Sequence, residues 1–233
     1  MRTPIILGGL IAATVHSPLL AGSLDQQSGW AAWFNNAKLS ERWSLVSDVQ
    51  VRSNDGWEQP RNLIGRAGAS YALSPSFNAT AGYAYIETYS PDAPTLIEHR
   101  TWQQLLLQQK IDGNPLTHRL RLEQRFIERA AGGDLYSDRL RYFVRLQVPL
   151  AAAEGKNFTG GLYAAFQNEV FLHLTARSEL NGQWFDQNRA YAGLGFRISR
   201  QVDVEVGYLN QHLNGRSRDT DNQVVQFSLH TRL

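Results

Sequence analysis

Between Trp43 and the last residue, apolar and polar side chains alternate with a period of two, in segments that mostly run to ten residues or more. Side chains of a strand point alternately to its two faces, so this pattern means sheet with one apolar and one polar face. Thr117–Arg129 is the clearest case: His118, Leu120, Leu122, Gln124 and Phe126 interleave with Arg119, Arg121, Glu123, Arg125 and Ile127. Arg139–Val148 repeats it, with Leu140, Tyr142, Val144, Leu146 and Val148 against Arg139, Arg141, Phe143, Arg145 and Gln147. Trp43–Arg52 and Phe77–Tyr89 alternate in the same way, and further strands are expected at 28–38, 60–73, 98–111, 158–174, 185–199, 202–212 and 222–233. Soluble strands average about 5–6 residues. At a rise of ~3.3 Å per residue and a tilt near ~40°, ten residues cover roughly 25 Å, the height of an outer-membrane apolar band. The expected fold is all-β, a transmembrane antiparallel up-and-down barrel of about 10–12 strands. The segments add up to an odd number, whereas bacterial single-chain barrels use even ones. Ser28–Lys38 is therefore either short of a full wall strand, or one strand is hidden elsewhere.

Punctuation fits long paired strands. Pro60, Pro75, Pro91, Pro94, Pro115 and Pro149 all fall in expected turns or at strand ends, as a residue without a ladder donor must. Short turns at 74–76, 112–116 and 199–201 alternate with longer polar loops at 53–59, 90–97, 130–137, 175–184 and 213–221, the asymmetry of outer-membrane barrels. The connection at 151–157 is longer than that rule prefers. Arg100–Gln109 has local helix propensity, and its three consecutive leucines blur the alternation.

The first residues read as an export signal. A short basic start (Met1–Pro4) precedes the apolar run Ile5–Val15, and Ala21-Gly22-Ser23 supplies small residues for cleavage. The expected division is a signal peptide at 1–23 and a bacterial outer-membrane barrel at 24–233. The apolar run is too short for a spanning helix, which needs ~20 residues, and no later stretch approaches that length. With 23 basic and 21 acidic residues in 233, the charge balance gives no reason to expect nucleic acid as a partner. The absence of Cys excludes a disulfide framework and thiolate metal sites. No metal- or nucleotide-binding motif occurs, so neither metal nor cofactor is expected. Counting back in twos, Leu233, Thr231, Leu229, Phe227 and Val225 form a largely apolar stripe. It is similar to the assembly signal of outer-membrane barrels, most of which end in Phe, and implies outer-membrane lipids and the barrel assembly machinery as partners.

Several fragments, in order, carry a family resemblance. They are the Trp-containing hairpin Trp30–Trp43, Glu98-His99-Arg100, Arg119–Arg125, Arg139–Tyr142, Asn168–Phe171, Asn188-Arg189 with the glycines of Ala192–Gly195, and Val206-Gly207-Tyr208. Over nearly the whole mature chain the sequence resembles a family of bacterial outer-membrane proteins known as domain of unknown function 2490. The resemblance implies a barrel and supplies no activity.

Function has to come from the residues. If 117–129 and 137–149 are antiparallel neighbours, their polar faces bring Arg119, Arg121, Arg125 and Arg129 beside Arg139, Arg141 and Arg145. Arg at the bilayer midplane costs about 2–4 kcal/mol, so these side chains should face the lumen. Glu123, Glu169, Arg189, Asp203 and Glu205 are expected there too. Two readings stay open: an ion-paired interior, in which carboxylates of other strands offset guanidinium desolvation, and a basic track that contacts small anionic solutes. A lipid hydrolase of phospholipase or lipid A deacylase type is the alternative, with His99 beside Glu98, His173, Ser178 and Glu179 as its only candidates, and no nucleophile motif supports it. Trp30, Trp33, Trp43, Trp57, Trp102 and Trp184 are read as interface girdles.

Overall fold

The computed structural model describes residues 23–233 except 92, 131 and 151–157. The expected signal peptide, apart from Ser23, therefore lies outside the described residues. Each alternating segment forms a strand: β1 (Leu24–Lys38), β2 (Trp43–Ser53), β3 (Pro60–Ser74), β4 (Phe77–Ser90), β5 (Ala93–Ile111), β6 (Asn114–Glu128), β7 (Asp134–Pro149), β8 (Gly161–His173), β9 (Phe185–Arg197), β10 (Val202–Leu213) and β11 (Thr220–Arg232). Sequential neighbours pair antiparallel, and β1 closes on β11 to complete a barrel. The Arg100–Gln109 stretch is strand throughout, because cross-strand pairing with β4 and β6 overrides its local preference.

Two expectations need correction. The count falls within the expected range of about 10–12 but is odd, with eleven wall strands among the described residues, so the supposition that β1 is partial or a strand is hidden does not hold. Each hairpin reverses the chain, so β1 and β11 run the same way and their seam, from Leu24 opposite Thr220 to Asn36 opposite Arg232, is parallel. The barrel is thus antiparallel everywhere except at its closure. Second, the loop expected at 90–97 is a tight connection. β4 runs to Ser90, β5 starts at Ala93, and Pro94 sits beside a register shift between Thr88 and Ser90. A bulge is where a strand tolerates Pro. At the other rim, Asp112 and Gly113 form a two-residue turn with φ of 49° and 82°. Positive φ at both positions is the geometry that hairpins use to match strand twist, and Asp-Gly is a sequence that adopts it readily.

The two faces of the wall differ in chemistry. Leu120, Tyr142, Phe166, Leu194, Val206 and Phe227 are exposed on the outside, while Arg121, Glu123, Arg139, Arg141, Glu169 and Glu205 are buried inside. Polar groups on the outer face satisfy one another: Asn168 and Asn188 exchange amide hydrogen bonds of 3.1 and 2.9 Å, Gln103 donates to Gln124 at 3.1 Å, and His118 Nδ1 meets Tyr142 OH at 2.8 Å.

Trp30 and Trp102 correct the girdle reading. They are 6% and 2% exposed, inside the barrel, whereas Trp33, Trp43, Trp57 and Trp184 lie outside. Trp102 shares its strand phase with Arg100 and Gln104. Its ring covers Gly68 and Gly82, where any Cβ would overlap it. Together with Ile64, Ala84 and Ile86 it makes one interior apolar cluster; Trp30, Tyr163, Ala165, Tyr191, Leu209 and Val224 make the other.

Candidate functional site

Inside this wall the arginines of β6 and β7 meet carboxylates drawn from around the barrel. Glu123 is the hub. It takes Arg139 at 2.7 Å and Arg141 at 2.5 Å, with Arg100 and Arg121 at 3.8 and 3.9 Å. Glu169 on β8 holds Arg119 at 2.8 Å and Arg141 at 2.7 Å. Glu98 on β5 holds Arg100 at 2.7 Å and Arg125 at 2.6 Å. Arg139 reaches Asp186 at 2.9 Å, Arg145 crosses to Glu205 on β10 at 2.5 Å, and Arg66 pairs with Asp48 at 2.8 Å. Nearer the turn rim, Asp203 pairs with Arg197 at 2.8 Å and with Arg232 at 2.5 Å. Bidentate and bridged geometry of this kind offsets the desolvation of buried charges.

Some arginines have no carboxylate within hydrogen-bond reach. Arg121 is held by Gln104 at 2.7 and 3.0 Å, and its guanidinium lies 4.3 Å from the Trp102 ring centre. Arg52 on β2 and Arg189 on β9 have no carboxylate oxygen within 4.0 Å among the described residues. Both lean on Trp30, at 3.9 and 5.1 Å from its ring centre, and Arg189 also lies 4.7 Å from that of Phe171. Arg52 Nη2 donates to the neutral Gln50 Oε1 at 2.8 Å. Its Nε is buried without a hydrogen-bond partner. Ring faces steady these cations without neutralising them.

Arg52 and Arg189 face a cavity of about 510 Å³ that opens between the connections at 54–59, 174–184 and 214–219. Its wall includes Trp30, Arg52, Arg66, Glu98, Arg100, Arg125, Arg139, Arg141, Phe171 and Arg189, with Arg61 and Arg216 toward the mouth. Among the described residues, none of the opposite, short-turn rim contributes to it. The volume is in the range of small-ligand sites.

Of the residues singled out from the sequence, Arg125, Arg139, Arg141 and Arg189 line this cavity, as do Trp30, Glu98 and His173. Arg119, Arg121, Glu123, Arg145 and Glu169 belong to the network outside its lining. Arg129 departs from the ladder: it pairs with Glu179 across the connections at the rim. The two histidines weighed for hydrolysis lie on opposite faces of the wall. His99 is outside against Tyr83 and Tyr85, and His173 is inside, with Nε2 3.4 Å from Asp186. No serine hydroxyl hydrogen-bonds to either ring among the described residues. Sequence reading missed Arg52, Arg66 and Arg100 as interior cations. Each stands on the polar phase of its strand, and that phase was the signal available.

The family described as proteins of unknown function (DUF2490) matches residues 27–222. An uncharacterized protein of Methylorubrum extorquens is 31% identical over 169 residues, covering 72% of this chain and 71% of its own length.

Proposed function

The chain belongs to the DUF2490 family of proteins of unknown function, and from that premise and the chemistry of the barrel we propose an outer-membrane protein that receives anionic groups in a one-ended, arginine-lined vestibule. The observation that carries this reading is the contrast between the wall's two faces. Exposed Leu, Val, Phe and Tyr recur on the outer face of strand after strand, whereas soluble monomers confine exposed apolar area to small patches. Its strands, of 11 to 19 residues, are long enough to cross an apolar band of ~25 Å. The inner face has a surplus of arginine, and Arg selects carboxylate and phosphate through its planar fork. The ion-paired reading and the anion-contacting reading meet in one interior: carboxylates bind most of the arginines, and Arg52 and Arg189, with none within 4.0 Å among the described residues, line the vestibule beside the paired Arg139 and Arg141. By the rule that short turns are periplasmic, the vestibule opens to the cell exterior. The partners that follow are outer-membrane lipids, the barrel assembly machinery and small anionic solutes.

Cell fractionation and planar bilayers test this. The native protein is expected in the outer-membrane fraction, with heat-modifiable migration on gels. In bilayers it should pass little current, because Trp30, Trp102, Tyr163 and Tyr191 occupy the interior beside the charge network. Recovery as a soluble periplasmic protein would end the membrane reading; conductance of porin size would end the one-ended one.

A further inference from the structure

The wall of the vestibule opposite the ion-pair hub is built of amides. Ser28 Oγ donates to Asn222 Oδ1 at 3.0 Å, Asn222 Nδ2 to Gln211 Oε1 at 3.2 Å, and Gln211 Nε2 to Gln187 Oε1 at 2.7 Å. Arg189 Nε closes the row by donating to the same Gln187 oxygen at 3.1 Å. The row crosses β1, β11, β10 and β9 on their inner faces and borders the cavity throughout. Gln187 Oε1 lies between two donors, which fixes its orientation and hence that of the row. Each amide nitrogen of Asn222 and Gln211 spends one N–H within the row and has another to offer. At one end stands Arg189, and Arg52 stands with it at the Trp30 ring, neither matched by a carboxylate.

A cavity that only had to hold a simple anion would need the arginines alone. Fixed amides beside them suit hydroxyl groups, which both donate and accept. We infer that the Arg52–Arg189 pair and the Gln187–Gln211–Asn222 row form one binding site for a small polyhydroxylated anion, a sugar bearing a carboxylate or a phosphate. The acidic group meets the two guanidinium forks near Trp30, and the hydroxyls lie along the amides. This inference rests on the vestibule reading and adds the ligand class to it.

Calorimetry on the full-length mature barrel in detergent tests it with glucuronate, glucose 1-phosphate, glucose and inorganic phosphate. Glucuronate or glucose 1-phosphate is expected to bind at least tenfold more tightly than either glucose or phosphate, and whichever binds identifies the acidic group. Arg52→Gln and Arg189→Gln should each weaken that binding about tenfold, with Arg52→Lys in between because it keeps the charge and loses the fork. Gln211→Leu should weaken the sugar anion and leave inorganic phosphate unchanged, a split that general loss of structure would not produce. Heat-modifiable migration of each variant reports folding. Glucose binding as well as glucuronate, or phosphate binding as well as both sugar anions with Gln211→Leu silent, would overturn the inference. Phosphate binding that is indifferent to Arg52 and Arg189 would also overturn it while leaving an anion-receiving vestibule in place. If no anion binds at low salt, the vestibule reading fails with it.

Discussion

Replacing Glu123 by Gln removes one negative charge from the centre of the barrel while keeping the shape of the side chain. Glu123 is 1% exposed and has guanidinium nitrogens of Arg139 and Arg141 at 2.7 and 2.5 Å. Breaking a buried pair from one side costs about 3–5 kcal/mol, because the remaining charge stays desolvated. The structure places the expected value near the lower end. Arg139 keeps Asp186 at 2.9 Å, Arg141 keeps Glu169 at 2.7 Å, and Arg100 keeps Glu98 at 2.7 Å. Arg121 keeps only the neutral Gln104. A loss of about 3 kcal/mol is expected, which at a urea slope of ~3 kcal/mol/M moves the unfolding midpoint by about 1 M. Adding Arg141→Gln should recover part of that loss, with a coupling of about 1–3 kcal/mol. The assay is equilibrium unfolding of the barrel in lipid vesicles, followed by tryptophan fluorescence and checked for reversibility. A loss below about 1 kcal/mol, the worth of an exposed pair, would show that water reaches Glu123 and would refute the closed-network reasoning.

Gly82→Ala places a methyl group into the Trp102 ring and against the Ala67 carbonyl; overpacking of this kind should cost about 1–3 kcal/mol, read by the same unfolding assay, whereas Gly113→Asn, in an open turn, should cost far less. On the outer face, Asn168→Leu leaves the Asn188 amide only a 3.3 Å bond to the Glu169 carbonyl, and Asn188→Leu leaves the Asn168 amide without its partner. The double variant should therefore be more stable than the sum of the single losses, with a coupling on the order of 0.6–1.7 kcal/mol; strict additivity would mean that the pair does not form.

How much of this was legible in the sequence follows from what alternation encodes. Period two in 117–129 and 137–149 gave the strands and their faces, because a slip of one residue would turn every arginine outward. It did not give closure. β1 alternates poorly, with Gly29, Ala31 and Ala32 around its tryptophans, so nothing local marks it as the strand that pairs with β11. Nor did it give the 90–97 region, where Pro94 at a bulge reads like a loop. Carboxylate partners were legible only as a requirement. Arg145 meets Glu205 three strands away and Arg139 meets Asp186 two strands away, contacts set by the stagger of a closed barrel. Trp102 looked like a girdle residue because the sequence does not show that Gly68 and Gly82, on two other strands, make room for its ring inside, and Trp30 because β1 alternates too poorly to fix its face.

The central claim, a wall whose outer face meets lipid and whose inner face holds the charge network, is tested most directly by a cysteine scan of Leu140–Arg145 in β7. The protein has no native cysteine to confuse it. Each variant is reconstituted in lipid vesicles and exposed to a thiol reagent confined to the hydrocarbon. Leu140→Cys, Tyr142→Cys and Val144→Cys are expected to react, and Arg141→Cys, Phe143→Cys and Arg145→Cys to be shielded. Position 143 is the most telling of these, since Phe is apolar yet lies inside, where Arg119 stacks 4.4 Å from its ring centre. Uniform protection along the strand, or reaction at 141, 143 and 145 in place of their neighbours, would contradict the account.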